Sequence, residues 1–268
     1  MIQLLNICNS FNRGVKYFIL TLLFSTFCYS SQNINSFIEQ SKLYENPYWS
    51  KLLHYRNGES EIDSDNFFIS KDGKTDLKKE LFETINSLKN GENSVLCRFP
   101  LRVEWLKKNI PNLEKEIVVY PCPKLNEYLN AVDAKYVTLV FPTAHINSPA
   151  SMYGHTFLRV SSSEDTPLVS NAINFAAKTD DTNGLIFAYK GLFGEYEGRY
   201  SILPYYEKIK EYNNLEQRDI WEYDLNLTQE EIDRLVLHSF ELKDVYSDYF
   251  FFKENCSYNI LWLLEVAR

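Results

Sequence analysis

The chain changes its pattern of apolar and polar positions near residue 135. In the first part, apolar residues recur at the helical spacing of three and four, at Leu77, Leu81, Ile85 and Leu88. Thr75 is expected to cap this helix and Gly91 to end it. Further helices are predicted over 36–55, 102–109 and 124–132. Residues 31–134 are therefore predicted to form a mostly helical layer, in which we find no catalytic spacing of residues.

The second part, residues 135–268, contains short runs of β-branched and aromatic residues bounded by turn formers, which is typical of strands. Five such runs cover 136–142, 154–160, 167–176, 198–204 and 218–225. A capping box starts at Thr228 with Glu231 three residues later, and another helix is predicted from about Cys256. The pattern predicts an α+β fold in which an antiparallel sheet packs on helices.

Length and composition are those of a globular protein. The chain has 268 residues, 45% of them hydrophobic, and a formal net charge of −8. This is enough to bury a sizeable core. Nucleic acid is not an expected partner, because binding phosphates needs a basic surface. The oligomeric state is left open.

The first thirty residues have the layout of a signal peptide. An apolar run over 17–30 follows Arg13 and Lys16 and precedes a polar stretch. A membrane anchor is the alternative, but the run is shorter than the roughly 20 residues that cross a bilayer. Residues 1–30 are therefore predicted to be removed on export, and the mature chain is placed in the periplasm or cell envelope.

Three cysteines remain after residue 30: Cys97, Cys122 and Cys256. Export permits disulfides, and Cys97 with Cys122, both in proline-flanked loops, is the favoured pair. Such a bridge is expected to stabilise the fold by about 3 kcal/mol in the chain-entropy estimate. Cys256 is then unpaired, and an unpaired thiol in an exported protein is a candidate reactive group.

Cys256 is predicted to lie in the first turn of a helix that Asn255 caps. The free amides and the dipole of a helix N-terminus favour an anion and lower the pKa of a thiol. The alternative is that Cys256 is a small buried apolar residue, which is the usual role of a free cysteine.

Four histidines compete for the role of the base that a thiolate nucleophile needs. His54 and His238 lie in predicted helical segments and are expected to be surface or core residues, and His145 lies in a loop. His155 opens a strand, where its side chain can meet a helix end. If that strand pairs with 167–176 in the assumed hairpin register, His155 faces Asn174, which could orient the imidazole.

The segment between residues 183 and 206 holds four glycines among aromatic residues. It is predicted to be either a mobile flap over a substrate groove or a long hairpin with bulges. No metal, phosphate-loop or serine-nucleophile motif is convincing. We therefore expect no metal and no cofactor.

Four blocks of this chain resemble the N-terminal periplasmic domain of the Lnb-type lipoprotein N-acyltransferases. They read NSPASMYGHTFLRV, NAINFAA, KGLFGEYEGRYSILPYY with its continuation to residue 225, and FFFKENCSYNILWLLEVA. The resemblance covers about residues 134–268. A histidine on a strand followed by Asn-Cys at a helix start is also the arrangement of circularly permuted papain-like and NlpC-like enzymes. The resemblance implies a permuted papain-like core with the helical N-terminal region as an added layer.

The resemblance implies acyl transfer through a thioester. His155 would deprotonate Cys256, and the thiolate would attack an acyl ester of a phospholipid at the membrane surface. The acyl group would then pass to the N-terminal amine of a lipoprotein. Within the similar blocks, the residues assigned to substrate binding are Ser148, Ser151, Tyr153, Gly191, Gly194 and Asn255.

Two other functions stay open at this point. One is a cell-wall peptidase or amidase that uses the same Cys–His pair on a peptide bond. The other is an envelope binding module without catalysis, in which Cys256 is buried or disulfide-bonded. The aromatic residues between 187 and 206 favour a lipid substrate over a peptidoglycan stem.

Overall fold

The computed structural model describes residues 33–143, 154–164, 166–167, 169–179, 181, 183–215 and 219–268. The predicted signal peptide lies outside these residues and stays a prediction. The described residues divide into two compact units, 33–41 and Lys42–Arg268. The described part of the first unit contains one helix, α1 (Ile34–Ser41).

Helices dominate the first ninety residues of the second unit. They are α2 (Pro47–Leu52), α3 (Leu77–Lys89), α4 (Asn93–Arg98), α5 (Pro100–Asn109), α6 (Leu113–Glu116) and α7 (Pro123–Val132). A short hairpin of β1 (Tyr55–Arg56) and β2 (Glu59–Ser60), which the sequence did not indicate, lies between α2 and α3. The predicted cap of α3 was wrong by one residue: Asp76, not Thr75, accepts a hydrogen bond from the Lys79 amide. A carboxylate in this position also suits the helix dipole.

The helical stretch predicted over 36–55 consists of two separate α-helices. α1 ends at Ser41, and α2 begins at Pro47 after Asn46, whose side chain accepts a hydrogen bond from the Tyr48 amide. Asparagine followed by proline is a strong start signal for a helix, because the capping oxygen and the fixed proline φ angle both favour the first turn.

The centre of the second unit is a six-stranded antiparallel sheet. Its strands are β3 (Tyr136–Pro142), β4 (Phe157–Ser161), β5 (Asn171–Ala177), β6 (Tyr196–Pro204), β7 (Ile220–Asp224) and β8 (Tyr246–Tyr249), in the spatial order β7-β3-β4-β5-β6-β8. The five predicted strands and the α+β class are confirmed. The edge strand β8 was not predicted.

Four helices accompany the sheet: α8 (Gly184–Phe193), α9 (Tyr205–Ile209), α10 (Gln229–Glu241) and α11 (Cys256–Ala267). The predicted capping box of α10 is confirmed between Thr228 and Glu231. α11 packs against α10 and against the central strands β4 and β5. All five residues of β4 are buried, so this strand has covered faces on both sides.

The first half of the glycine-rich segment is a helix, so the long-hairpin prediction was wrong for residues 184–193. The Asn183 side chain accepts hydrogen bonds from the amides of Leu185 and Ile186 and so starts α8. Gly194, with φ of 76°, ends it in the left-handed conformation that glycine adopts most easily. The cap and the glycine stop together define a ten-residue helix where the sequence suggested only turns.

The structure contains the Cys97–Cys122 disulfide. Cys97 lies within α4 rather than in a loop, and Cys122 directly precedes α7. The bridge therefore ties two helices of the N-terminal region together. None of the helices in the described ranges has the length and apolar character needed to cross a membrane.

Candidate active site

Cys256 is the first residue of α11 and lies at the end of the sheet where β4 begins and β5 ends. As predicted from the sequence, Asn255 caps this helix, because its side-chain oxygen accepts a hydrogen bond of 3.2 Å from the Tyr258 amide. The Asn255 amide group in turn donates to the Phe251 carbonyl. Cys256 is 6% exposed and is the free cysteine of the described part of the chain.

His155 and Asn174 are in contact, although the register that suggested it was wrong. The observed register pairs Leu158 with Ile173, where the assumed one would pair it with Asn171. A shift of two residues leaves every side chain on its original face. The Asn174 side chain therefore still projects on the same side of the sheet as His155, and its Oδ1 lies 2.5 Å from His155 Nε2.

This contact determines which ring nitrogen of neutral His155 carries the hydrogen. An amide oxygen only accepts, so His155 Nε2 carries the proton and Nδ1 keeps its lone pair. Asn174 is itself held, since its amide nitrogen donates to Ser201 Oγ on β6 at 3.4 Å. Neutral His155 thus has one nitrogen that can take a proton.

The Cys256 thiol has an unusually low pKa for a buried group. Burial alone raises the pKa, but hydrogen bonds and the nearby His155 outweigh it and lower the pKa from the ordinary 9.0 to about 7. The Cys256 sulfur is hydrogen-bonded to the His155 side chain, the Thr156 backbone amide and the Tyr249 hydroxyl, and His155 donates to the thiolate once it has taken the thiol proton. A large fraction of the thiol is therefore the nucleophilic thiolate at neutral pH.

Tyr249 is a site residue that the sequence did not reveal. It ends β8, and its hydroxyl also accepts a hydrogen bond of 3.4 Å from the Cys256 backbone amide. Burial and the neighbouring Cys256 raise the pKa of Tyr249, so it stays a protonated donor. A short, polar edge strand gives little signal in a sequence, and only the folded contact shows that its last residue reaches the thiol.

A cavity of about 160 Å³ opens beside the Cys–His pair. Its lining includes both of these residues and Asn255, and its apolar wall includes Ala176, Phe187 and Phe251. The Phe187 and Phe251 rings contact each other, with centroids 5.1 Å apart. The cavity can hold a reacting carbonyl and a few neighbouring atoms in a partly dry environment.

The other residues assigned to substrate binding fall into two groups. Ser148, Ser151 and Tyr153, like His145, lie outside the described residues. Gly191 and Gly194 lie against aromatic rings: a Cβ atom on Gly191 would stand 2.2 Å from the Phe251 ring, and one on Gly194 would stand 2.2 Å from the Phe250 ring. These glycines bring α8 close to the segment that leads to Cys256, and they do not line the cavity.

His54 and His238 contact each other in the core, away from Cys256. The two side chains are 1% and 0% exposed, and their Nε2 atoms lie 2.9 Å apart. His238 Nδ1 contacts Glu241, which also accepts the Arg102 backbone amide. Arg102 forms a fully buried ion pair with Glu80 at 3.1 Å. These residues do not line the cavity at Cys256, so the expected structural role fits them.

The described residues contain no cluster of three or more His, Cys, Asp or Glu side chains with the geometry of a metal site. The groups gathered at Cys256 are a nucleophilic thiol, a histidine that can act as a base, and amide and hydroxyl donors nearby.

Two family models match the chain. One, described as the Lnb N-terminal periplasmic domain, matches residues 124–268, and the other, a domain of unknown function (DUF7843), matches residues 41–109. The chain belongs to the Lnb N-terminal periplasmic domain family. This confirms the resemblance and the periplasmic location, and it points to a role in lipoprotein processing. Neither a curated protein nor a solved structure matches the chain. The permuted papain-like arrangement of the core accordingly stays a prediction.

Within this Lnb-family region lie all six strands of the large sheet and the residues of the site. Cys256, Asn174 and Tyr249 come from α11, the middle of β5 and the end of β8, whereas His155, predicted to open a strand, lies two residues before β4. The DUF7843 region instead holds Arg102 and Glu80 of the core ion pair. The residues around Cys256 thus lie in one matched region, whereas the buried polar network of the core joins both, because His238 and Glu241 belong to the Lnb-family region.

Proposed function

We propose that this domain is a thiol acyltransferase that moves an acyl chain from a phospholipid to the N-terminal amine of a lipoprotein through a thioester on Cys256. The observation that carries the proposal is the low-pKa Cys256 thiol, hydrogen-bonded to a histidine whose orientation Asn174 fixes. The donor and the acceptor are supported by family membership and by the apolar wall of the cavity.

In the first half-reaction the Cys256 thiolate attacks the carbonyl carbon of an acyl ester. The tetrahedral intermediate carries a negative oxygen, and the Cys256 amide and Tyr249 hydroxyl, which lie beside the sulfur, are the donors that would stabilise it. The carbon–oxygen bond of the ester then breaks. His155, protonated when it received the thiol proton, returns that proton to the leaving lysophospholipid alcohol, and the acyl group stays on sulfur as a thioester.

In the second half-reaction the lipoprotein amine attacks the thioester carbonyl. His155 Nδ1 removes a proton from the amine, the carbon–sulfur bond breaks, and Cys256 leaves as a thiolate. A new amide bond replaces the thioester. The two half-reactions need no oxidant, reductant or cofactor, because the chain and the two substrates supply every proton and electron pair.

The test is intact-mass spectrometry of the mature chain after incubation with vesicles of phosphatidylethanolamine that carries odd-numbered acyl chains. We expect a hydroxylamine-sensitive mass gain of one odd-numbered chain on the native protein. The Cys256→Ala and His155→Ala variants, checked for folding by circular dichroism, should show no gain. Tyr200→Phe is the matched control, because Tyr200 is a buried tyrosine whose hydroxyl contacts Asn259 instead of Cys256.

Addition of a synthetic lipoprotein peptide should then remove the adduct and yield the N-acylated peptide. A native protein that reacts with thiol reagents at Cys256 but never gains an acyl chain would contradict the proposal. An adduct that persists in the Cys256→Ala variant would contradict it as well.

A further inference from the structure

The helix α8 turns an apolar stripe toward solvent. Its exposed side chains recur at the spacing of one helix face, and they are Leu185, Ile186, Tyr189, Leu192 and Phe193, which are 45% to 83% exposed. The side of α8 that faces the protein carries Phe187 and Gly191. In a soluble helix the apolar stripe normally faces the core. Here both sides are apolar, so the outward stripe needs a partner.

This outward surface is continuous with the wall of the Cys256 cavity. The Phe251 amide donates a hydrogen bond of 2.9 Å to the Gly191 carbonyl, and the Phe251 ring lies on Gly191. Phe251 lines the cavity, and the next residue, Phe252, is 63% exposed. Phe187 also lines the cavity from the inner side of α8. The helix α8 therefore borders the Cys256 cavity with its inner side and presents the apolar stripe to solvent on its outer side.

The size of the cavity favours a partner that stays outside it. About 160 Å³ is well below the roughly 300–1,000 Å³ of pockets that enclose a whole organic ligand. A phospholipid ester can place its carbonyl there, but its two acyl chains must remain elsewhere. The apolar stripe beside the cavity is the described surface that could keep them in a bilayer.

The shape and charge of the surface also favour a bilayer over a peptide. Peptides are usually held in grooves or along a sheet edge, whereas the outward face of a helix is convex and suits an interfacial position. Lys253, beside Phe252, is exposed, but the chain as a whole carries a formal charge of −8. Attraction to anionic headgroups is therefore weak, and insertion of apolar side chains must supply the binding.

We propose that the outward face of α8, together with Phe252, docks on a lipid bilayer and so brings the Cys256 cavity, on the inner side of this helix, close to the phospholipid ester groups. This inference rests on the proposed acyl transfer. It identifies the partner of the site as a membrane surface. Neutral lipids are sufficient for this binding, and α8 lies parallel to the plane of the interface.

The test is flotation of the mature chain with vesicles of pure phosphatidylcholine. The double variant Leu185→Glu/Leu192→Glu should reduce the vesicle-bound fraction about tenfold or more, because two charges would have to enter the apolar layer. The matched control is Tyr136→Glu/Val169→Glu, which changes two side chains of 54% and 53% exposure at the opposite end of the sheet. This control pair should bind as the native chain does.

Further measurements separate this inference from the proposed function. Cys256→Ala should bind vesicles normally, and a soluble short-chain thioester or aryl ester should acylate the native chain without any membrane. Reaction with the soluble ester without vesicle binding would overturn the docking surface alone. Vesicle binding without any acylation would contradict the enzyme instead.

Two results would overturn the docking proposal directly. One is equal loss of binding in both double variants. The other is a native chain that ignores vesicles but associates with itself through α8, measured as a concentration-dependent mass that Leu185→Glu/Leu192→Glu abolishes. Raising the salt concentration should change vesicle binding little, and a steep loss with salt would also contradict insertion.

Discussion

Two histidine contacts in this chain have similar chemistry and opposite surroundings. His155 is half-buried at the mouth of a cavity, with an amide oxygen on one side and a thiol on the other. His54 is 1% exposed, contacts His238, and stacks on Trp262 with ring centroids 4.8 Å apart. A histidine hydrogen bond alone therefore does not identify a site.

The difference lies in what each histidine can reach. At the cavity, the partner of His155 is a nucleophile that substrate can approach, and the surrounding hydrogen bonds favour its charged form. In the core, burial lowers the pKa of His54 well below 6.5 and keeps the ring neutral. The first arrangement prepares a reaction, and the second satisfies polar groups that folding has removed from water.

The largest expected effect is at the cavity. His155→Ala removes the base and the main hydrogen bond that lowers the Cys256 pKa, so burial should raise that pKa above its ordinary value. Acyl transfer should fall by about 10²- to 10⁴-fold. The rate of iodoacetamide labelling as a function of pH measures the shift, since its midpoint should move upward from about 7. Labelling of the folded variant with an unchanged midpoint would show that His155 does not act on the thiol.

The core should respond in stability rather than in reactivity. Arg102→Met leaves Glu80 as an unpaired buried carboxylate, and the free energy of unfolding should fall by about 3–5 kcal/mol. The matched control is Arg56→Met, which breaks an exposed pair with Glu265 and should cost less than about 1 kcal/mol. Urea titration gives both values. A folded Arg102→Met protein that also lost the low Cys256 pKa would mean that the two regions are coupled.

Tyr249→Phe sharpens the comparison within the cavity. Removal of one hydrogen bond to the thiolate should slow acylation by about ten- to a hundredfold and raise the Cys256 pKa, because a hydrogen bond to a charged group is worth about 1.5–3 kcal/mol. Tyr200→Phe removes a buried hydroxyl that contacts Asn259. This control should lower stability without moving the thiol titration, and equal shifts in both variants would refute a specific role for Tyr249.

The smallest expected effect concerns pH and His54. Because burial lowers its pKa in the folded state, the unfolded chain binds a proton first as the pH falls below about 6.5. The stability that neutral His54 contributes should therefore be fully present above that pH and decrease below it. His54→Asn, which suits the positive φ of this position, should reduce the stability difference between pH 7 and pH 5.5 by about 1 kcal/mol. Thermal unfolding at both pH values checks this, and an unreduced difference would assign the pH dependence to other groups.

The sequence predicted those parts of the fold that local rules determine. Asn255 before Cys256 is a cap signal that needs no tertiary information, and the same holds for the Thr228 and Glu231 capping box of α10. The five long strands were recognisable because β-branched and aromatic residues were bounded by turn formers. The approach of Asn174 to His155 survived a wrong register only because a two-residue shift preserves the face.

The missed features depend on contacts that a local pattern does not contain. Tyr249 reaches Cys256 only because the edge strand β8 pairs with β6. His54 and His238 are 184 positions apart, and nothing near either of them indicates the other. The hairpin predicted over α8 was wrong because the apolar side chains of this helix face outward, while Gly191 and Gly194 accommodate the rings of Phe251 and Phe250.

The buried His54–His238 contact has one more consequence, for the direction of its hydrogens. Glu241 accepts from the Arg102 amide and from His238 Nδ1, so His238 Nδ1 carries a hydrogen. The two Nε2 atoms lie 2.9 Å apart and share one hydrogen, so one of the two rings donates and the other accepts. The hydrogen bonds thus form one continuous chain between His54, His238 and the Glu241 carboxylate. Nitrogen NMR should show ring hydrogens in this chain that exchange with water only when the core opens.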